Sequence, residues 1–158
     1  MKITYRKAKI KDFNSFLPLW EKLDKSQVKY HSIYILDKNI IGKRERYFKK
    51  LLKGKGSFVY VAEYKGALIG FLVGEVKDTS PIFKIKRMGQ LSSIFIKEKY
   101  RKKGIGTEFV KILIKEFKKR ELRFITVNGN THNTAAIKFY KNVGFKDFRF
   151  VMIKDIKS

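Results

Sequence analysis

Apolar positions along this chain change their spacing several times, and each change marks an element. From Lys2 to Lys9 polar and apolar residues alternate loosely, which predicts an edge strand. Phe13, Phe16, Leu17, Trp20 and Leu23 then recur at helical spacing, with Asp12 placed to cap that helix and Pro18 placed to kink or break it. Residues 24–42 keep no clean period and read as a mobile loop or a short helix. Arg44 to Leu52 is helical, with Tyr47, Phe48, Leu51 and Leu52 set among charges, and Lys53-Gly54-Lys55-Gly56 ends it. Ser57–Tyr64 and Ala67–Val76 are two strands around a Lys65-Gly66 turn, a hairpin signature. Gly70 and Gly74 inside the second strand imply a bulge or a close neighbour. Asp78 to Arg87, with Pro81, is a loop.

The stretch that follows organises the rest. A strand from Gly89 to Lys97 runs into Arg101-Lys102-Lys103-Gly104-Ile105-Gly106. Ile105, Phe109, Ile112, Leu113 and Phe117 then fall on one face of a helix that closes in Lys118-Lys119-Arg120. Arg123–Val127 reads as a short buried strand. Thr131 or Asn133 caps a helix carrying Ala135, Ala136, Ile137, Phe139 and Tyr140, and Gly144 stops it. Phe145–Ile153 reads as a last strand. The strands at 89–97 and 123–127 are joined by one helix, so they should be parallel neighbours with a right-handed crossover. The expected fold is α+β: a mixed, mostly antiparallel sheet with a central parallel pair and helices on both faces. At 158 residues, with no linker or repeat, one domain spanning 1–158 is expected.

Composition narrows the chemistry. Without cysteine there is no disulfide, no thiolate nucleophile and no cysteine zinc site, and His31 and His132 lie too far apart in sequence to suggest a metal. No metal is expected. The N-terminus lacks a signal-like apolar core and no apolar run reaches spanning length, so a soluble cytoplasmic chain with no membrane span is expected. Basic residues outnumber acidic ones 38 to 14, a net charge of +24 that should attract polyanions such as nucleic acid. They are spread along the chain rather than gathered in an arm.

A strand, a glycine turn and a helix make an anion cradle. The first amides of a helix lack internal partners and sit at the positive end of its dipole, and glycines admit a ligand close to the backbone. Arg101-x-x-Gly104-x-Gly106 in that setting resembles the acetyl-CoA motif of the GNAT superfamily of N-acyltransferases. Asn133-x-x-Ala136-x-x-x-Tyr140-x-x-x-Gly144-Phe145 resembles that family's next motif, and the element order matches over nearly the whole chain. The competing P-loop lacks its GKS or GKT, and a dinucleotide GxGxxG fails at Phe109.

The resemblance implies the GNAT fold, with the parallel strands splayed apart, and acetyl-CoA as co-substrate. It implies pyrophosphate binding by backbone amides from Arg101, Lys102, Lys103, Gly104, Ile105, Gly106 and Thr107, with charge from the two lysines. It implies pairing of the pantetheine arm with the backbone of Ile94 and Ile96. It places Tyr140 as the acid that protonates the leaving thiolate, a role suited to a phenol of pKa about 10. Asn133 orients backbone or cofactor, or caps its helix. Many members carry a carboxylate base on the first splayed strand, where this chain has Ser92 and Ser93. Glu75 on the neighbouring strand is one replacement. A water chain held by the serines and backbone carbonyls is another, and His31 a third.

The acceptor site should lie between Trp20 and Tyr34 and the strand ending at Glu75, lined by Trp20, Tyr30 and Tyr34. A cationic acceptor would face the long-range positive field and would need a local acidic cluster, for which Glu21, Asp24 and Asp37 are the candidates. A neutral or anionic amine, or a protein N-terminus, is therefore expected. Absent cysteine favours direct transfer over a thiol intermediate. Two rivals stand beside the N-acetyltransferase reading. One is a GNAT-fold sensor or scaffold that only binds acyl-CoA, and the other is a nucleic-acid or ribosome-associated basic protein. A homodimer through the aromatic-rich last strand is the oligomeric expectation.

Overall fold

Among the described residues, five strands build one sheet in chain order: β1 (Thr4–Lys7), β2 (Ser57–Tyr64), β3 (Ala67–Asp78), β4 (Arg87–Ile96) and β5 (Ile125–Val127). Four helices accompany them: α1 (Phe13–Val28), α2 (Ile40–Lys53), α3 (Ile105–Lys118) and α4 (Thr134–Asn142). The structure is a computed structural model that describes residues 1–157. β1 to β4 pair antiparallel, and β4 and β5 pair in parallel, as the crossover argument requires. The chain divides into two units, Met1–Asn128 and Gly129–Ser158.

In the first unit, α1 and α2 cover one face of the sheet. Phe16, Phe48 and Phe71 are wholly buried, and the Phe16 ring lies 4.4 Å from Phe71 and 4.9 Å from Phe48, centroid to centroid. Val59, Val61, Val73 and Phe95 share that core. Pro18 sits inside α1 without ending it. Residues 24–42, which have no periodic signal, divide between the end of α1, a 3-10 turn at Ser32–Tyr34 and the start of α2.

α3 covers the opposite face, and two glycines set how closely. A Cβ on Gly74 would come within 2.2 Å of Leu113 Cδ1, and one on Gly89 within 2.4 Å of the Phe117 ring. Only glycine lets the helix settle this deeply, which answers the close-neighbour expectation at Gly74. Two bulges accompany these glycines: Ala62 faces Gly70 and Glu63 faces Leu68, so Ile69 is an extra residue in β3 beside Gly70, and Val73 faces Ser93 while Gly74 faces Leu91, so Ser92 is an extra residue in β4.

Ionic ties lock helices to strands. Asp12 does not cap α1 through its side chain. It accepts the Lys9 N–H at 2.7 Å and both Arg6 amino groups at 2.7 and 2.9 Å, and Arg6 also reaches Glu63. That bidentate pair, opposed by burial, holds the Asp12 carboxyl below its usual range. Arg44, buried on α2, holds Glu21 and Asp24 of α1 at 3.3 and 2.6 Å.

In the second unit, Asn133 caps α4, its Oδ1 accepting the Ala136 N–H at 3.1 Å. Gly144 takes φ +97° just after the helix. The strand expected at Phe145–Ile153 does not form: among the described residues no strand follows α4. An alternating segment becomes a strand only when its backbone exchanges hydrogen bonds with a neighbouring strand, and this segment pairs with none of the five. The parallel pair therefore flanks the sheet instead of lying within it. Among the described residues no helix is long and apolar enough to cross a membrane.

Candidate active site

The bulge at Ser92 gives β4 its open edge. Pairing with β5 covers only Gly89–Leu91, while β4 runs on to Ile96. The Lys97 N–H donates to Ile69 O on β3 at 2.9 Å. Strand residues alternate in the direction of their backbone groups, so Ile96 and Ile94 turn away from β3. Arg101 marks that side, its Nε donating to the Ile96 carbonyl at 2.9 Å. A strip of β4 backbone thus faces outward beyond the last β5 pair, which suits an extended amide-bearing arm.

The strip leads straight into the glycine turn. A short 3-10 turn at Glu98–Tyr100 is followed by Lys102 at φ +58° and Gly104 at φ +78°, two left-handed residues that swing the chain into α3. Gly104 is the N-cap of α3, with no side chain capping the helix amides. A Cβ at Gly104 would meet nothing within 4 Å. Uncapped amides beside open space fit a pyrophosphate. Ile105 contributes only backbone, because its side chain is 1% exposed and belongs to the core. Lys103 lies over the Tyr100 ring at 5.7 Å, and Lys102 and Thr107 are exposed.

A second cluster sits on the α1/α2 side of the same sheet. Glu75 follows Phe71 and Val73 on that face of β3, and its Oε2 accepts the Ser92 hydroxyl at 2.6 Å. Lys77 stands 3.1 Å from its other oxygen. The carboxylate that β4 lacks is therefore supplied one strand away and tied to β4 through the serine at the bulge. Burial raises the Glu75 pKa, but the Ser92 and Lys77 bonds and the charge of Lys50 outweigh it, leaving the group below its ordinary value. Tyr47 of α2 faces this carboxylate, and burial together with Glu75 raises its phenol pKa. Its ring lies 5.7 Å from Trp20.

The other expected site residues fare differently. Trp20 is a core residue, 8% exposed. His31 caps the turn at Ser32–Tyr34, its Nδ1 accepting the Ile33 N–H at 3.1 Å, so that nitrogen is not available as a base. Glu21 and Asp24 are held by Arg44, and Asp37 by Lys43, so each already has a cation partner. Tyr47 is the residue that sequence reasoning missed as a site group. It falls among the apolar positions of an amphipathic helix, and its 39% exposure is its distinguishing mark. In the second unit, burial raises the Tyr140 pKa, and its ring packs against Phe139 and Phe145 at 5.5 and 6.0 Å. That phenol stays protonated at neutral pH. Among the described residues no group of acidic, histidine or cysteine side chains could hold a metal.

A model of the acetyltransferase (GNAT) family matches residues 19–145, and the chain belongs to that family. It is 29% identical over 148 residues to an uncharacterised N-acetyltransferase of Methanocaldococcus jannaschii, a match covering 91% of this chain and 61% of that protein. It is 26% identical over 108 residues to an N-alpha-acetyltransferase of Sulfurisphaera tokodaii, covering 65% of each. The chain thus spans about two thirds or less of the length of these curated relatives. A predicted acetyltransferase of Clostridium acetobutylicum, solved with acetyl-CoA, shares the fold at TM-score 0.75 and 23% identity, covering 99% of this chain and 97% of that one.

Proposed function

We propose that this chain transfers the acetyl group of acetyl-CoA directly to a primary amine, and that its preferred acceptor is an α-amine such as a protein N-terminus. The observation that carries the cofactor half is the continuous path from the open β4 strip to the uncapped amides of α3. Bound acetyl-CoA would supply an electrophilic thioester carbonyl. The backbone of Ile94 and Ile96 would hold its arm, the amides from Arg101 to Thr107 its pyrophosphate, and Asn133 would keep α4 in shape. As the neutral amine forms its C–N bond and the C–S bond breaks, Tyr140 would donate its proton to the departing sulfur, and the proton that the acylated nitrogen sheds would pass to water, from which the tyrosinate is reprotonated. A related protein solved with acetyl-CoA supports the choice of cofactor.

The acceptor preference follows from the weakness of the base. A lysine amine, of pKa about 10.4, is about one part in a thousand unprotonated at about pH 7.4, whereas an α-amine of pKa about 7.7–8.0 is about a fifth to a third unprotonated. Glu75, with its pKa lowered, is ionised but too weak a base to strip an alkylammonium. It suits an amine with a sizeable unprotonated fraction, by orienting a water or the amine itself alongside Ser92. The pairing of Glu21, Asp24 and Asp37 leaves none of the three expected acidic groups to receive a polycation. The N-alpha-acetyltransferase of Sulfurisphaera tokodaii points the same way.

Calorimetric titration with acetyl-CoA and then CoA tests the first half, with micromolar binding expected. Turnover of one peptide with a free N-terminus, against the same peptide N-blocked and carrying a lysine, tests the second. Faster acetylation of the blocked peptide would refute the α-amine reading. Binding without turnover of any amine would favour a sensor or scaffold. One further reading has its own support: with +24 charge overall, the β3–β4 loop exposes Ile82 and Phe83 beside Lys84, Lys86 and Arg87. Affinity for RNA that falls steeply with salt would establish a polyanion partner, and salt-insensitive or absent binding would remove it.

A further inference from the structure

The cluster around Glu75 carries more positive than negative charge. Residues two apart on a strand share a face, and cross-strand partners stand side by side, so β3 and β4 present Glu75, Lys77, Met88, Gln90 and Ser92 together. Glu75 is the one carboxylate in that set, and Lys77 contacts it. On α2, Lys50 follows Tyr47 by three residues, which sets the two on one side of the helix. The charge of Lys50 acts on Glu75.

The lysine belongs to a stripe. Arg46, Lys50 and Lys53 recur at i, i+4 and i+7 along α2, a span of about 10 Å, and all three are exposed. The carboxylates near that helix are engaged by other cations: Glu21 and Asp24 by Arg44, Asp37 by Lys43 and Glu45 by Lys49. One carboxylate between two ammonium groups leaves the cluster net positive. It can orient an amine at Glu75, but it repels a second cation carried beside that amine. A carboxylate carried there meets Lys50 or Lys77 instead. The stripe is longer than a free amino acid and matches a peptide.

We infer that the acceptor is a peptide α-amine with Asp or Glu within its first two residues, that carboxylate held by Lys50 and Lys77 while Glu75 and Ser92 orient the amine. The inference rests on the α-amine reading above and narrows it. Both lysines are exposed, so the pairing decides between acceptors by a few-fold and does not by itself supply tight binding.

Initial rates with acetyl-CoA test it. Two series of peptides with free N-termini vary the first or the second residue through Glu, Gln and Lys, and free glutamate is run beside them. Wild-type kcat/KM should order Glu above Gln above Lys in at least one series, by about twofold to fivefold per step, the range of an exposed ion pair. The differences should sit in KM and shrink at high salt. Lys50→Glu should reverse the order and Lys77→Gln should flatten it, with circular dichroism to check that both variants fold. Equal rates across each series, or an order that Lys50→Glu leaves in place, overturn the inference while the α-amine reading stands. Acetylation of the lysine in the N-blocked peptide with no turnover of any free N-terminus refutes that reading, and this inference with it. Free glutamate turned over faster than either acidic peptide overturns the assignment to a peptide.

Discussion

The turn before α3 and the cluster around Glu75 are built in opposite ways. The turn is made of backbone: two left-handed residues, uncapped amides and a glycine with open space above it, all within a few residues of sequence. The cluster is made of side chains from three separate elements, Glu75 on β3, Ser92 on β4 and Tyr47 on α2. A backbone site tolerates changes of side chain as long as the path of the chain survives. A side-chain site is retuned by each substitution. Under the proposed acetyl transfer, the backbone site would hold the cofactor and the side-chain site would face the acceptor.

Tyr140 and Glu75 sharpen the contrast, because their environments push them apart. Burial keeps the phenol protonated, and a hydroxyl and a lysine keep the carboxylate ionised. The largest expected effect is therefore Tyr140→Phe, with a fall in kcat of about 10²- to 10⁴-fold, the range for loss of a general acid. Acetyl-CoA affinity should hardly move in the same variant. Weakened affinity at normal turnover would give Tyr140 a binding role instead.

Gly104 comes next, because it tests the backbone half by itself. Gly104→Val places a branched side chain at φ +78° and over the cradle, and should weaken acetyl-CoA by about tenfold or more, at a stability cost of about 1–2 kcal/mol. Gly104→Asn separates the two effects, since asparagine tolerates that φ. Affinity lost at an unchanged Tm means crowding of the ligand. Affinity kept by the asparagine variant would move the pyrophosphate elsewhere.

Glu75→Gln probes the side-chain half. A fall of about tenfold in kcat/KM is expected, while the rise of rate with pH should still follow the acceptor's α-amine near pH 8, because Glu75 titrates far below that. Loss of a limb near neutral pH in the glutamine variant would make Glu75 the base after all. Ser92→Ala should act in the same direction but only a few-fold, by removing one bond to the carboxylate. Its thermodynamic signature has a definite sign. A depressed folded pKa contributes stability above the unfolded value, and that contribution is lost as pH falls through the folded pKa. Without the Ser92 bond the Glu75 pKa rises toward its ordinary value, so the acid-side loss of stability in that variant should begin at higher pH and be smaller in total. An unchanged acid melt would mean that the bond contributes little.

Much of the strand, turn and helix around Gly104 was legible in the residues themselves. Gly104 and Gly106 between a strand and an amphipathic helix define a local geometry, and local geometry follows from nearby residues. The hairpin at 57–76 and the parallel pairing of 89–97 with 123–127 were legible for the same reason: turn residues and crossover handedness leave few alternatives. The cluster around Glu75 was less so. Glu75 could be named from element order, but its bond to Ser92 depends on a one-residue bulge that no pattern announces. Tyr47 was hidden among core positions, and His31, the third candidate base, spends a nitrogen on a turn.

Period and turn chemistry by themselves determined the order of elements as far as α4, the family motifs and the glycine turn before α3, because these rest on contacts between residues close in sequence. The tertiary structure decided which glycines meet α3, which acidic groups are already paired, how far β4 and β5 stay together, and the absence of a strand at Phe145–Ile153. Those outcomes turn on partners distant in the chain. Alternating apolar residues state that a segment can be a strand, and only an available neighbouring edge makes it one.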